Sequence, residues 1–195
     1  MAGNRSLTGK NLEAAMRMLE RVSGVLDAAD IKYCLDAGTL LGIVRENRLL
    51  PWDNDMDMAV SRTELPKLEA ALDEIRALGY KARINKHVKD DPPMLMTEPR
   101  IVKVWVPEFV FLRAVILDIF IKTKVDDEYT WAEGTKRYAR KSVPAHFHDE
   151  LTRIEFAGNS YPIPADAEGY LTQRYGDWRT PKKDWDHIVD DKSLA

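Results

Sequence analysis

Apolar residues recur at intervals of three and four between Leu12 and Ala29, through Ala15, Met16, Leu19, Val22, Val25 and Leu26, and this spacing predicts an amphipathic helix packed on a sheet. Ile31 to Leu35 then reads as a short strand, and Asp36-Ala37-Gly38-Thr39 as a turn into a short helix from Leu40 to about Arg45. From Asp53 to Val60 the pattern switches to strict alternation, with Asp53, Asp55 and Asp57 on one side and Met56, Met58 and Val60 on the other. Period two predicts a strand with one polar and one apolar face. Ser61 or Thr63 can cap a following helix that carries Leu65, Leu68, Leu72, Ile75 and Leu78; Gly79 closes it, and Pro66 is tolerated because it falls in the first turn.

Tyr80 to Ile84 and Arg100 to Val106 read as further strands on either side of a loop containing Asp90-Asp91-Pro92-Pro93, which is expected to be mobile. The nearly continuous apolar run from Val115 to Ile121 has the pattern of a central strand covered on both faces, interrupted only by Asp118. Beyond Asp126 the pattern becomes less regular. Short strands are expected at Leu151 to Phe156 and Ser160 to Ile163, then a helix from Asp166 to Tyr175 and a tail containing proline and charge. No internal repeat is visible. The elements predict an α/β (α+β) fold with a mixed sheet flanked by helices.

The chain has 195 residues, enough for one domain over 1–195, with 45% apolar and 31% charged residues. A formal net charge of -3 gives no global electrostatic hold on nucleic acid, so a nucleic-acid partner is not expected. Cys34 is the sole cysteine, which excludes an intramolecular disulfide and a cysteine zinc cluster and fits a reducing compartment. No segment approaches the roughly 20 apolar residues of a membrane span, and Met1 to Lys10 lacks a signal-peptide core. The expectation is a cytoplasmic protein, with peripheral contact at the inner face of the membrane left open.

The alternating aspartates carry the chemistry. Three anions aimed at one face of a strand repel one another, and a divalent cation would neutralise them; the alternative is a solvated acidic loop. Asp118 inside an apolar strand costs several kcal/mol unless a shared metal ion, backbone amides or an arginine such as Arg113 compensates it. Asp55 and Asp57 with a third acid from a neighbouring strand form a suitable frame for two magnesium (or manganese) ions. Gly38-Thr39, at a strand-to-helix turn, could offer free amides to a phosphate or simply cap the helix. Arg45 could clamp a phosphate or sit in a surface salt bridge. Trp52, Tyr175 and Trp178 could stack on a base or sugar or belong to the core. His87, His146, His148 and His187 do not by themselves make a ligand set.

The stretch Ala37-Gly38-Thr39-Leu40-Leu41-Gly42-Ile43-Val44-Arg45, followed by Leu50-Pro51-Trp52-Asp53-Asn54-Asp55-Met56-Asp57, closely resembles the signature of the LicD family, which includes bacterial phosphocholine transferases and fukutin-related proteins. Leu117-Asp118-Ile119-Phe120 resembles that family's second acidic strand, and Tyr170-Leu171 with Arg174-Tyr175-Gly176-Asp177-Trp178 and Pro181 its C-terminal block. Asn54, Arg48 and Lys122 depart from the family's usual aspartate, glycine and proline. The resemblance implies a nucleotidyltransferase-like fold with Gly38 and Thr39 at the nucleotide phosphates and Asp55, Asp57 and Asp118 as metal carboxylates. It also implies transfer of a phosphorylated small alcohol, such as phosphocholine or a polyol phosphate, from a CDP-activated donor such as CDP-choline to a glycan hydroxyl, with release of CMP. On this reading Asp118 could also draw the acceptor's proton, Arg45 would stabilise phosphate charge, Asp53 would support the metal site, and Trp52, Tyr175 and Trp178 would shape the pocket. The acceptor would be a glycan or lipid-linked glycan such as lipopolysaccharide or teichoic acid. Nucleotidyl transfer from a nucleoside triphosphate and an inactive nucleotide- or glycan-binding module are the alternatives.

Overall fold

The computed structural model describes residues 6–107 and 115–195. The chain opens with helix α1 (Gly9–Ala28), strand β1 (Tyr33–Leu35) and helix α2 (Ala37–Glu46). Strand β2 (Asp55–Ser61), a 3-10 turn, helix α3 (Leu65–Ala77) and strands β3 (Lys81–Lys86), β4 (Pro99–Trp105) and β5 (Ile116–Val125) follow. Then come β6 (Glu128–Glu133), β7 (Ala139–Pro144), the short α4 (His146–Asp149), β8 (Leu151–Phe156), β9 (Asn159–Pro164) and α5 (Ala167–Tyr175).

Seven strands form one mixed sheet in the order β1-β2-β5-β4-β3, with β6 pairing the far end of β5 and β7 pairing β6. Only β2 and β5 run parallel; β8 and β9 form a separate hairpin. The register places Met56, Leu117 and Val104 in one row and Met58, Ile119 and Val102 in the next, all fully buried. This apolar face packs in the core with Met18, Leu19, Val22 and Leu26 of α1 and with Leu68, Leu72 and Ile75 of α3. Each such side chain contributes about 1.5–3 kcal/mol by leaving water. On α1 it is Met18, not Met16, that is fully buried; Met16 packs at the margin.

Two predictions need correction. Residues 36–39 are not a turn before a helix, because α2 already begins at Ala37: the Asp36 carboxylate accepts from the Ala37 amide at 2.8 Å, and the Leu40 amide reaches the Asp36 carbonyl at 3.0 Å. The irregular region beyond Asp126 contains the β6–β7 hairpin, which extends the sheet. The Asp90–Pro93 loop is tied down at Asp91, whose amide bonds to the Met94 carbonyl at 2.9 Å and whose carboxylate accepts from the Tyr138 hydroxyl at 2.9 Å. Among the described residues no helix is long and apolar enough to cross a membrane.

Candidate active site

The face of the sheet opposite α1 and α3 carries the acids. In the parallel register Asp57 lies beside Asp118, and Lys103 of β4 stands next to Asp118 on its other side. Asp55 precedes Asp57 on the same face, one row away. Asp53 ends the turn that leads into β2; its amide bonds to the Leu50 carbonyl and its carboxylate accepts from the Asn54 amide at 2.9 Å.

Helix α2 is stitched to this row. The Asp36 amide donates to the Asp57 carbonyl at 3.1 Å, and the Asp57 amide donates to Thr39 Oγ1 at 2.8 Å. Thr39 is buried, so its hydroxyl positions β2 and does not face the cleft. Gly38 lets the acids approach: a Cβ built there would collide with the Asp53 carboxylate and lie 3.7 Å from Asp57 Oδ2. Ala37 enters α2 with φ at +42°, a left-handed conformation that costs an L-residue roughly 1 kcal/mol and that sequence gave no means to foresee.

Burial and mutual repulsion act together on the acids. Asp57 is held well above the usual carboxylate range by loss of water and by the charges of Asp55, Asp53 and Asp118; Asp55 is raised in the same way, by burial and then Asp53 and Asp118. Burial raises Asp53 as well. Burial also raises Asp118, against the partial relief of the Lys103 ammonium bonded to its Oδ2, while its Oδ1 is buried without a hydrogen-bond partner among the described residues. Arg113, the arginine considered for that position, lies outside the described residues. Four carboxyl groups face the Lys103 ammonium, with the Arg100 guanidinium acting on Asp118 as well, and the acids still outnumber the cations, an imbalance that a hard cation with oxygen preference would relieve. As the side chains stand, no group of three His, Cys, Asp or Glu residues among the described residues is drawn together around a single point.

The acids floor a cleft of about 660 Å³ whose lining includes Gly38, Arg45, Trp52, Asp53, Asp55, Asp57, Asp118, Tyr175 and Trp178. The opposite wall comes from α5 and the tail beyond it, including Lys182, Lys183, Trp185 and His187. Arg45 meets this wall directly: Nη1 donates to the Trp178 carbonyl at 3.0 Å, while Nε and Nη2 bond to Glu46. Its planar fork is thus engaged by protein groups. Trp178 is buried, its indole nitrogen bonded to Thr172 Oγ1 at 3.1 Å, and the Tyr175 ring packs against Trp185 with centroids 4.9 Å apart.

Beside the floor lies an ionic network that the sequence did not announce, two members of which, Glu133 and Arg174, also reach the cleft lining. Asp36 pairs with Lys122 and Arg174; Arg174 also pairs with Glu133 and Asp191, and Lys141 pairs with both of those acids. Lys122 donates further to the Tyr170 hydroxyl at 3.0 Å and contacts His148 Nε2 at 3.1 Å. His148 therefore belongs to the scaffold, with Cys34 Sγ 3.4 Å from its other ring nitrogen; burial pushes that thiol up to about 12. His87 is buried away from the acids, and among the four histidines His187 lines the cleft.

The family described as LicD/FKTN/FKRP, nucleotidyltransferase domain, matches residues 30–166, a span that holds all four floor acids and ends before the Tyr170–Pro181 block. An uncharacterized protein of Rickettsia prowazekii is 23% identical over 177 residues, covering 88% of this chain and 58% of that protein. The human ribitol 5-phosphate transferase FKRP is 24% identical over 173 residues, covering 85% of this chain and 32% of that protein. The chain thus spans little more than half of the first relative and about a third of the second. Among solved structures, ANT(2")-Ia in complex with adenylyl-2"-tobramycin aligns over 89% of this chain and 83% of its own with a TM-score of 0.47 at 14% identity.

Proposed function

Because the chain belongs to the LicD/FKTN/FKRP nucleotidyltransferase-domain family, as its blocks around Gly38, Asp55 and Asp118 imply, we propose that it transfers a phosphorylated small alcohol from a CDP-activated donor to a glycan hydroxyl, releasing CMP. The observation that supports this reading most is the row of buried carboxylates on adjacent parallel strands at the bottom of an open cleft. The human relative named above is a ribitol 5-phosphate transferase, so a polyol phosphate is the first group to test here; phosphocholine is the second.

On this proposal Asp55, Asp57 and Asp118 would hold magnesium or manganese, two ions in all, which when bound would neutralise the donor's diphosphate. The chain's own groups do the rest. Gly38 lets the backbone of α2 approach Asp53 and Asp57 closely, so the helix start and the acids border one cleft. Asp118, raised by burial and bearing an unpartnered oxygen, is suited to take the acceptor's proton as the new phosphorus–oxygen bond forms and the diphosphate bridge breaks. Trp52, Tyr175 and Trp178 wall the cleft and exclude water.

Purified protein incubated with CDP-ribitol, CDP-glycerol and CDP-choline, with magnesium and a glycan acceptor, is expected to release CMP from at least one donor, and Asp118→Asn to reduce that release at least a hundredfold. CMP release that survives Asp118→Asn removes the role given to that residue. Pyrophosphate release from a nucleoside triphosphate, with no CMP from any CDP donor, replaces this reading with nucleotidyl transfer.

A further inference from the structure

The geometry points to Lys183 as the residue that binds the diphosphate of the nucleotide-activated donor, from the wall opposite the acids. The inference rests on the proposed donor class and starts from the cations that line the cleft. Arg45 is bonded to Glu46 and the Trp178 carbonyl; Arg174 is held by Glu133, Asp191 and Asp36; Lys182 pairs with Asp190 at 2.7 Å. Lys183, exposed in the same lining, takes part in no salt bridge among the described residues. Its ammonium sits 5.4 Å from the centroid of Trp52, a residue of the other wall.

That contact joins two segments of the cleft lining. Trp52 immediately precedes Asp53, so the ring holds the ammonium within the lining that also contains the acids. A diphosphate entering here adds negative charge to a site already in excess, and its oxygens turned away from the floor need a donor from the tail. An exposed cation–π contact is weak beside charge-assisted bonds to phosphate, so an arriving diphosphate outcompetes the ring. A lysine on a flexible stem can follow phosphate oxygens, which the clamped fork of Arg45 cannot.

Calorimetric titration of the full chain with CDP and with cytidine, magnesium present, tests the assignment alongside CMP release from CDP donors. Lys183→Met keeps the apolar stem over Trp52 and removes the charge. It is expected to weaken CDP binding on the order of tenfold while leaving cytidine binding unchanged, and Lys183→Arg to restore most of the loss. Wild-type affinity for CDP in Lys183→Met, in a protein that turns over CDP donors, overturns the role of Lys183 and leaves the transferase reading standing. Equal weakening for CDP and cytidine overturns it too, because that is a structural effect. A wild-type chain that binds no CDP and turns over no CDP donor removes both.

Discussion

The floor of the cleft and the ionic network beside it are built from the same kinds of group and are both withdrawn from water, yet their carboxyl groups are driven in opposite directions. On the floor Lys103 relieves Asp55 and Asp118, and Arg100 also acts on Asp118, but all four acids, Asp53, Asp55, Asp57 and Asp118, are raised. In the network Asp36, Glu133 and Asp191 face Lys122, Lys141 and Arg174; burial alone would raise these acids, but the cations outweigh it and hold them below the ordinary range. Burial is common to both regions, so charge balance decides the sign. A balanced set is scaffold, and an unbalanced one is poised for a ligand of the missing charge.

Breaking the balance of the network should have the largest effect. Arg174→Met leaves Asp36, Glu133 and Asp191 with two cations, and unfolding in urea should show a loss of about 3–5 kcal/mol. Gly38→Ala attacks the floor by shape, because the new methyl meets the Asp53 carboxylate; a loss of about 1–3 kcal/mol is expected, together with most of the CMP release. Asp57→Asn relieves the floor, so the metal-free variant should be more stable than wild type by about 1 kcal/mol at pH 7 while activity falls, the reverse of the network variant. A network-like loss of stability in metal-free Asp57→Asn would erase the distinction between the two regions.

The smallest effect, a slope against pH, sharpens the comparison. Floor acids have folded values above their unfolded ones, so the metal-free folded state binds more protons and its stability should fall as pH rises from about 4, the unfolded carboxylate value, through the raised folded values. Network acids are depressed; their contribution is present above about pH 4 and is lost as pH falls through their folded values. Thermal unfolding of metal-free protein across pH should therefore pass through a maximum in the acidic range. Asp57→Asn should flatten the alkaline side only.

The floor was legible in sequence because its signal is local: alternation of Asp55 and Asp57 with Met56 and Met58 fixes the face, and an aspartate inside Val115–Ile121 stands out. The parallel pairing that sets Asp57 beside Asp118 was not legible, since no residue spacing encodes a register between strands so far apart. The network was hidden for a related reason. Ala139-Arg140-Lys141-Ser142 lies in the stretch beyond Asp126 that shows no regular pattern, and Lys141 is buried against Glu133 and against Asp191, which returns to it from the tail. Glu128 to Glu133 has charged ends and a buried centre at Tyr129–Ala132, too short a pattern to separate from a loop. The cationic wall followed suit, as a tail with proline and lysine shows no periodicity.

The pairing of Asp57 with Asp118 also has a consequence for the order of folding. α3, β3 and β4 lie between the two strands in the chain, so the acids meet only after the slow, long-range step that closes the parallel ladder. Before that step Asp55 and Asp57 are two solvated anions on a single segment. The ability to hold a cation would thus be a late property of the chain, and a cation that favours the finished floor would act as a latch on the completed topology, slowing its opening more than it speeds its formation.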